Sequence, residues 1–131
     1  PRLRMVTLNY YAAERNALVL GGTNLSEWIT GYFTKHGDTG VDLMPIAGLV
    51  KRQGRELAAY LGVPKVIIDK APSAGLWLGQ TDEQEMGMTY EQLDDYILTG
   101  NADPSVRQTV ERLESRSEHK RRSPPKPELD L

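Results

Sequence analysis

Residues 20–61, LGGTNLSEWITGYFTKHGDTGVDLMPIAGLVKRQGRELAAYL, hold the densest run of side chains able to do chemistry in this sequence. Gly21 and Gly22 let backbone approach a ligand and Thr23 adds a hydroxyl, which suits adenosine or phosphate and equally suits a tight turn. Glu27 is a hard carboxylate of the kind that holds magnesium beside a triphosphate. Three residues after Asn24, it is also the natural return partner of a capping box. Lys35, Asp38 and Asp42 follow at i, i+3 and i+7 across a glycine-rich stretch. A lysine with two acids can neutralise a phosphate or carboxylate while the acids hold a ribose or incoming ammonia. A solvated loop of mixed charge would read the same way. Lys51 and Arg52 open a helix, where cations oppose the macrodipole; this suits a compensating anion such as a phosphate, and equally a mismatch of the kind surface helices tolerate.

Two further features lie outside that stretch. Ser73 sits in a turn-rich segment and could reach a nucleotide phosphate or simply close a turn. His119-Lys120-Arg121-Arg122 is a compact basic cluster, able to bind an anion or to act as a solvated tail. With two histidines and no cysteine, a zinc site, a disulfide and a cysteine nucleophile are all disfavoured. Any ammonia used would not be made from glutamine by a thiol in this chain.

The elements that must position these groups follow from periodicity. Leu3, Val6 and Tyr10 recur at helical spacing in a stretch, residues 2–15, without proline or glycine. Residues 17–20, ALVL, form a short apolar run ended by two glycines, which predicts a strand buried on both faces of a parallel sheet. Asn24 then caps a helix striped by Leu25, Trp28, Ile29 and Tyr32. KHGDTG breaks that helix, and VDLMPI reads as a second short strand limited by Pro45. Residues 51–61 form an amphipathic helix through Leu57, Ala58 and Leu61, closed by Gly62 and Pro64. Residues 70–87 carry proline, glycines and acids without a period, and read as a mobile lid. Residues 89–98 are helical, and Asp103-Pro104 starts another helix through Val106, Val110 and Leu113.

The whole is bounded by 131 residues, enough for one domain that buries roughly two thirds of its unfolded surface. A net charge of −2 argues against a nucleic-acid partner bound by a basic surface. No apolar run approaches ~18 residues, so no membrane span is expected and the default location is cytoplasmic.

Taken in order, RLRM, GGTNLSE, GYFTKHGDTGVDLMPI, KRQGRELAAYLG, APSAGLWLGQTDE, TYEQLDDY and EHKRR resemble the C-terminal half of the ammonia-dependent NAD synthetases of the N-type ATP pyrophosphatase group. The resemblance implies an α/β fold of three layers, a parallel sheet flanked by helices of the adenine nucleotide alpha hydrolase-like type. Only its C-terminal part is expected here, over residues 1–118, followed by a basic, proline-rich tail over 119–131. It implies NAD+ biosynthesis: deamido-NAD+ is adenylated by ATP and then amidated by ammonia, releasing AMP and pyrophosphate. Thr23, Lys51 and Ser73 match ATP-binding positions, and Glu27 matches the Mg2+ ligand. Arg2, Lys35, Asp42, His119 and Lys120 match positions that hold deamido-NAD+, and Asp38 matches an acid near the attacking ammonia. A homodimer is implied, with the N-terminal helix and the basic tail as dimer elements. The family's serine-glycine-glycine-x-aspartate-serine phosphate loop is not among these residues. Turnover is therefore expected to need the phosphate-loop half; a truncated nucleotide-binding or dimerisation module without turnover is the alternative.

Overall fold

The computed structural model describes residues 1–127; the end of the predicted tail, residues 128–131, lies outside the described residues. Seven α-helices and a final 3-10 turn succeed one another: α1 Arg2–Arg15, α2 Leu25–Thr30, α3 Lys51–Tyr60, α4 Lys65–Ile68, α5 Asp82–Met86, α6 Tyr90–Thr99, α7 Pro104–Ser117 and the turn Glu118–Lys120.

The helix starts follow their caps. Asn24 accepts from the Glu27 amide at 3.0 Å while Glu27 returns a carboxylate oxygen to the Asn24 amide at 3.2 Å, closing a capping box on α2. Thr89 and Gln92 do the same for α6, and Pro104 stands in the first turn of α7. The helix α5 was not anticipated. Thr81, whose hydroxyl accepts from the Gln84 amide, followed by three acids in the first turn and Gly87 at the stop, is the signal that identifies it. The single turn α4 likewise follows Pro64, where the chain was expected only to leave α3.

The sheet is where expectation and structure part. Among the described residues the parallel pairing is one bridge, Leu20 with Leu43. The Gly21 amide donates to the Leu43 carbonyl at 2.8 Å, and the Asp42 amide to the Val19 carbonyl at 2.9 Å. The direction is as predicted and Pro45 ends the second segment, but no layered sheet forms around it. Nor is the first segment buried on both faces. Val19 points inward, whereas Leu20 is 62% exposed. A lone two-segment pairing has no neighbour to cover its outer side.

The buried core sits elsewhere, where Met86, Met88, Tyr90, Leu93, Val106 and Val110 pack together, backed by Ile29, Tyr32 and Leu113. It joins α2, α5, α6 and α7. By contrast α1 and α3 bury no residue. Leu57 and Leu61, expected on the inward stripe of α3, face outward.

Gly31 shows how closely α2 meets the end of α7. It ends α2 at φ +68°, and a Cβ there would lie 2.0 Å from the Cβ of Ser117. Only glycine fits both the left-handed turn and the contact.

Candidate functional site

One cavity of about 500 Å³ opens beside the α2 N-terminus, walled by α1, the 19–23 segment, the 37–41 loop, Lys51 and the 70–74 segment. Thr23, Glu27, Asp38, Lys51 and Ser73 all line it. Five of the ten residues singled out from the sequence thus converge on one space, although they span 50 positions of chain from Thr23 to Ser73.

Glu27 uses its two oxygens differently. Oε2 accepts from the Asn24 amide, while Oε1 pairs with Lys51 Nζ at 2.8 Å. Both readings of this residue are therefore compatible. Lys51 Nζ also lies 4.8 Å above the Tyr90 ring, a cation–π arrangement that steadies it over the cavity floor. Thr23 is buried at the cavity wall. Ser73 is exposed, and its hydroxyl accepts from the Gly75 amide at 3.1 Å, the turn role weighed for it. Asp38 Oδ2 accepts from the Thr34 amide at 2.6 Å, which ties the loop after α2 to itself.

The anion weighed for the basic start of α3 turns out to be internal. Asp94 of α6 is 1% exposed. Its Oδ2 accepts from the Arg52 amide at 2.7 Å and its Oδ1 from the Ser26 hydroxyl at 2.6 Å. Ser26 Oγ in turn accepts from the Lys51 amide at 3.0 Å. The Arg52 guanidinium pairs with Asp95 at 2.7 Å, which raises its pKa above the usual value. Two amides at the α3 N-terminus are thus met by α2 and α6, and Lys51 is set facing the cavity. Sequence reasoning missed Asp94 and Ser26. The adjacent acids in TYEQLDDY were the available signal, though nothing local says which of the two turns inward.

The other five residues lie outside the cavity lining, and three of them, Arg2, Lys35 and His119, are linked to one another. Arg2 Nε donates to the Lys35 carbonyl at 3.1 Å, and Lys35 Nζ to the His119 carbonyl at 2.6 Å. Lys120 Nζ donates to the carbonyls of Gly31 and Phe33 at 2.8 and 2.9 Å. Burial and the adjacent Arg121 charge hold its pKa below the usual lysine value. Asp42 Oδ2 accepts from the Val19 amide at 2.8 Å, so it braces the strand pairing. Within the basic cluster, Arg121 donates to the carbonyls of Trp28 and Ile29. Lys120 and Arg121 therefore complete the C-terminal end of α2 rather than trailing into solvent.

A third group is made of residues the sequence did not flag. The Tyr90 hydroxyl donates to Asp82 Oδ2 at 3.0 Å. The Tyr32 hydroxyl donates to Glu85, which also accepts from Gln80 Nε2 at 2.8 Å. Burial, then the nearby Glu27 and Asp82 charges, push the Tyr90 phenol far up, and burial with the Glu85 hydrogen bond raises Tyr32. Both phenols act as donors. The Tyr32 hydrogen bond lowers the Glu85 carboxyl in return.

Backbone glycines beside a helix start, a carboxylate–lysine pair and a hydroxyl face one cavity, an arrangement with the chemistry to take an anion such as a phosphate. Comparison with known proteins gives the family. The sequence model of the NAD synthase family matches residues 1–124, and the chain belongs to that family. It is 55% identical over 122 residues to the NH(3)-dependent NAD(+) synthetase of Finegoldia magna, covering 93% of this chain and 50% of that protein. The solved NMN synthetase of Francisella tularensis superposes with a TM-score of 0.94 at 47% identity, over 98% of this chain and 54% of the other. The NH3-dependent NAD synthetase of Campylobacter jejuni, in complex with nitrate, gives 0.71 at 31% identity, over 97% and 52%. The chain spans about half the length of the curated relatives it matches.

Proposed function

We propose that this chain supplies the substrate-facing half of an ammonia-dependent NAD+ synthetase, adenylating the nicotinate carboxylate of deamido-NAD+ and then amidating it. The observation that carries this reading is the convergence of Thr23, Glu27, Asp38, Lys51 and Ser73 on one cavity. In the reaction the carboxylate attacks the α-phosphate of ATP, expelling pyrophosphate, and ammonia then displaces AMP. No protein nucleophile is needed, so positioning and charge neutralisation are the chain's work.

Thr23 and the amides near Gly22 would hold the nucleotide at the start of α2, and Lys51 would meet a phosphate. The Glu27–Lys51 pair has to open for this. Glu27 Oε1 is then free for magnesium, and Lys51 for the anion, so the two charges exchange each other for ligand. No group of three or more metal-binding side chains occurs among the described residues. One carboxylate fits a magnesium ion whose other ligands are phosphate oxygens and water, the usual arrangement when the nucleotide brings the metal. Bound there, the ion would neutralise charge on the leaving pyrophosphate. Asp38 would stand as the acid near the attacking ammonia, and Arg2, Lys35, Asp42, His119 and Lys120 as the deamido-NAD+ side.

The homodimer belongs to the same reading: α1 presents Leu3, Val6 and Tyr10 outward and buries none of its residues. So does the three-layer parallel sheet, completed by the phosphate-loop half, of which the Leu20–Leu43 bridge is the fragment carried here. A cytoplasmic setting suits the chemistry; no helix is long and apolar enough to cross a membrane among the described residues.

The likeness to a protein called an NMN synthetase favours one second reading, in which the acceptor is the mononucleotide. A single assay separates these. The full-length protein is given ATP, magnesium and ammonium with either deamido-NAD+ or nicotinate mononucleotide, and AMP and amide product are followed. Amide formed from the dinucleotide supports the first reading and from the mononucleotide the second. AMP release with neither acceptor would sink both and leave a non-catalytic module.

A further inference from the structure

Among the described residues, Asp82 holds the one buried side-chain polar atom left without a hydrogen-bond partner. The residue is 5% exposed and lines the cavity beside Glu27 and Lys51. Its Oδ2 accepts from Tyr90, but Oδ1 is shut off from solvent and has no hydrogen-bond partner. A buried carboxylate normally has all its acceptor sites met and a cation near it, because an unmatched charge in a low-dielectric setting is costly. Lys51, the cation at hand, is committed to Glu27 at 2.8 Å. Tyr90 brings a neutral donor and no charge.

We propose that Asp82 is an ammonium-binding residue, its free Oδ1 taking an N–H of the ion from within the cavity. This rests on the amidation reading above, in which ammonium is the one cationic substrate among three; ATP and deamido-NAD+ are anions. Magnesium fits Oδ1 poorly, since it sheds water reluctantly and this oxygen is shut off from solvent. An ammonium ion offers four N–H donors and needs only one strong acceptor to begin with.

Access runs through the 70–81 segment. The Asp82 amide donates to the Pro72 carbonyl at 3.1 Å, so the carboxylate sits at the root of the segment that walls the cavity. Shifting that wall uncovers Oδ1, and returning it seals the ion away from water. Asp38 is exposed on the same cavity and remains the acid near the point of attack. The two carboxylates then divide the work: Asp82 captures and desolvates the ion, and Asp38 takes the proton that ammonium must give up before its nitrogen attacks the adenylate and displaces AMP.

The test uses the full-length protein. Asp82→Asn keeps shape and the Tyr90 contact while removing the charge. It should raise KM for ammonium about tenfold or more, with KM for ATP within about twofold, as expected for loss of one charge-assisted hydrogen bond. Asp38→Asn should instead lower kcat. A second measurement needs no variant: crystals of the unaltered protein soaked in a thallium(I) salt, a monovalent stand-in for ammonium, should show an anomalous peak against Asp82 Oδ1. An unchanged KM for ammonium, or equal changes for ammonium and ATP, with no thallium peak, would overturn the proposal. Oδ1 would then be met inside the protein by the Tyr32 hydroxyl turning from Glu85. If no amide forms with any acceptor, the amidation reading fails; the thallium peak then decides alone whether Asp82 seats a cation.

Discussion

The two sides of α2 are built on different terms. Toward α6 and α7 it packs into a closed core, where Leu93 and Val110 are fully buried and Ser26 and Asp94 satisfy each other. Toward the cavity it faces glycines, a carboxylate–lysine pair and segments that leave Leu18, Leu20, Leu43 and Ile67 exposed. One side holds shape and the other holds a carboxylate–lysine pair that the proposed function requires to open. The join between them is narrow: Asp94 reaches from the core to the α3 N-terminus, and Lys120 with Arg121 reaches from the end of α7 to the last carbonyls of α2.

Cutting that join should have the largest effect. Asp94→Ala, at a site 1% exposed, removes the acceptor for the fully buried Ser26 hydroxyl and for the part-buried Arg52 amide. Stability should fall by roughly 4 kcal/mol, in the range for breaking a buried charged network. Urea unfolding with an unchanged m-value measures it. A loss under about 1 kcal/mol would mean that α3 is not anchored through the core.

Gly31→Ala comes next. The new methyl meets Ser117 and forces a left-handed alanine, costing roughly 3 kcal/mol between overpacking and backbone strain. Ser117→Gly in the same background should recover the packing part and leave the strain. Failure of that second change to recover anything would show that the contact is not what requires glycine.

These residues also mark how far the sequence could be read. The starts of α2, α6 and α7 were legible because such signals are local, lying within four residues of Asn24, Thr89 and Pro104. The gathering of Thr23, Glu27, Lys51 and Ser73 was legible only through the order of the motifs, since each alone reads as a turn or a cap. Asp94 and Ser26 were hidden because their partners lie 42 and 68 positions away along the chain. Helix α5 was lost to the glycines and proline before it, which masked a short acid-rich start. The sheet was misjudged for another reason. ALVL and VDLMPI have strand composition, yet strand character is realised only when neighbours pair with it, and here each has one neighbour at a single bridge.

On the cavity side, Glu27→Ala should cost only ~1 kcal/mol of stability, the worth of a cap, while abolishing magnesium-dependent turnover of the full-length protein. This contrast with Asp94 is the sharpest form of the comparison: a small structural loss with a large catalytic one. Glu27→Gln should restore much of the cap without restoring turnover. Near-normal rates in the alanine variant would reduce Glu27 to its capping role.

The smallest effect expected is one of motion, with no change in sequence. In the 70–81 segment, Gly75 and Gly79 adopt φ of +66° and +79°, and Leu76, Trp77 and Leu78 between them are exposed. Its cross-links are few: Gln80 Oε1 accepts from the Leu76 amide at 2.7 Å, Gln80 Nε2 donates to Glu85 at 2.8 Å, and the Asp82 amide donates to the Pro72 carbonyl. Amides here should exchange far faster than those of α6 and α7, because opening this segment exposes almost no apolar surface from the core. ATP with deamido-NAD+ should slow them, since residues 70–74 wall the cavity that both would enter, while leaving α6 and α7 unchanged. Equal slowing in α6 and α7 would show that ligand tightens the whole chain, and the division between a fixed side and a yielding side of α2 would then be wrong.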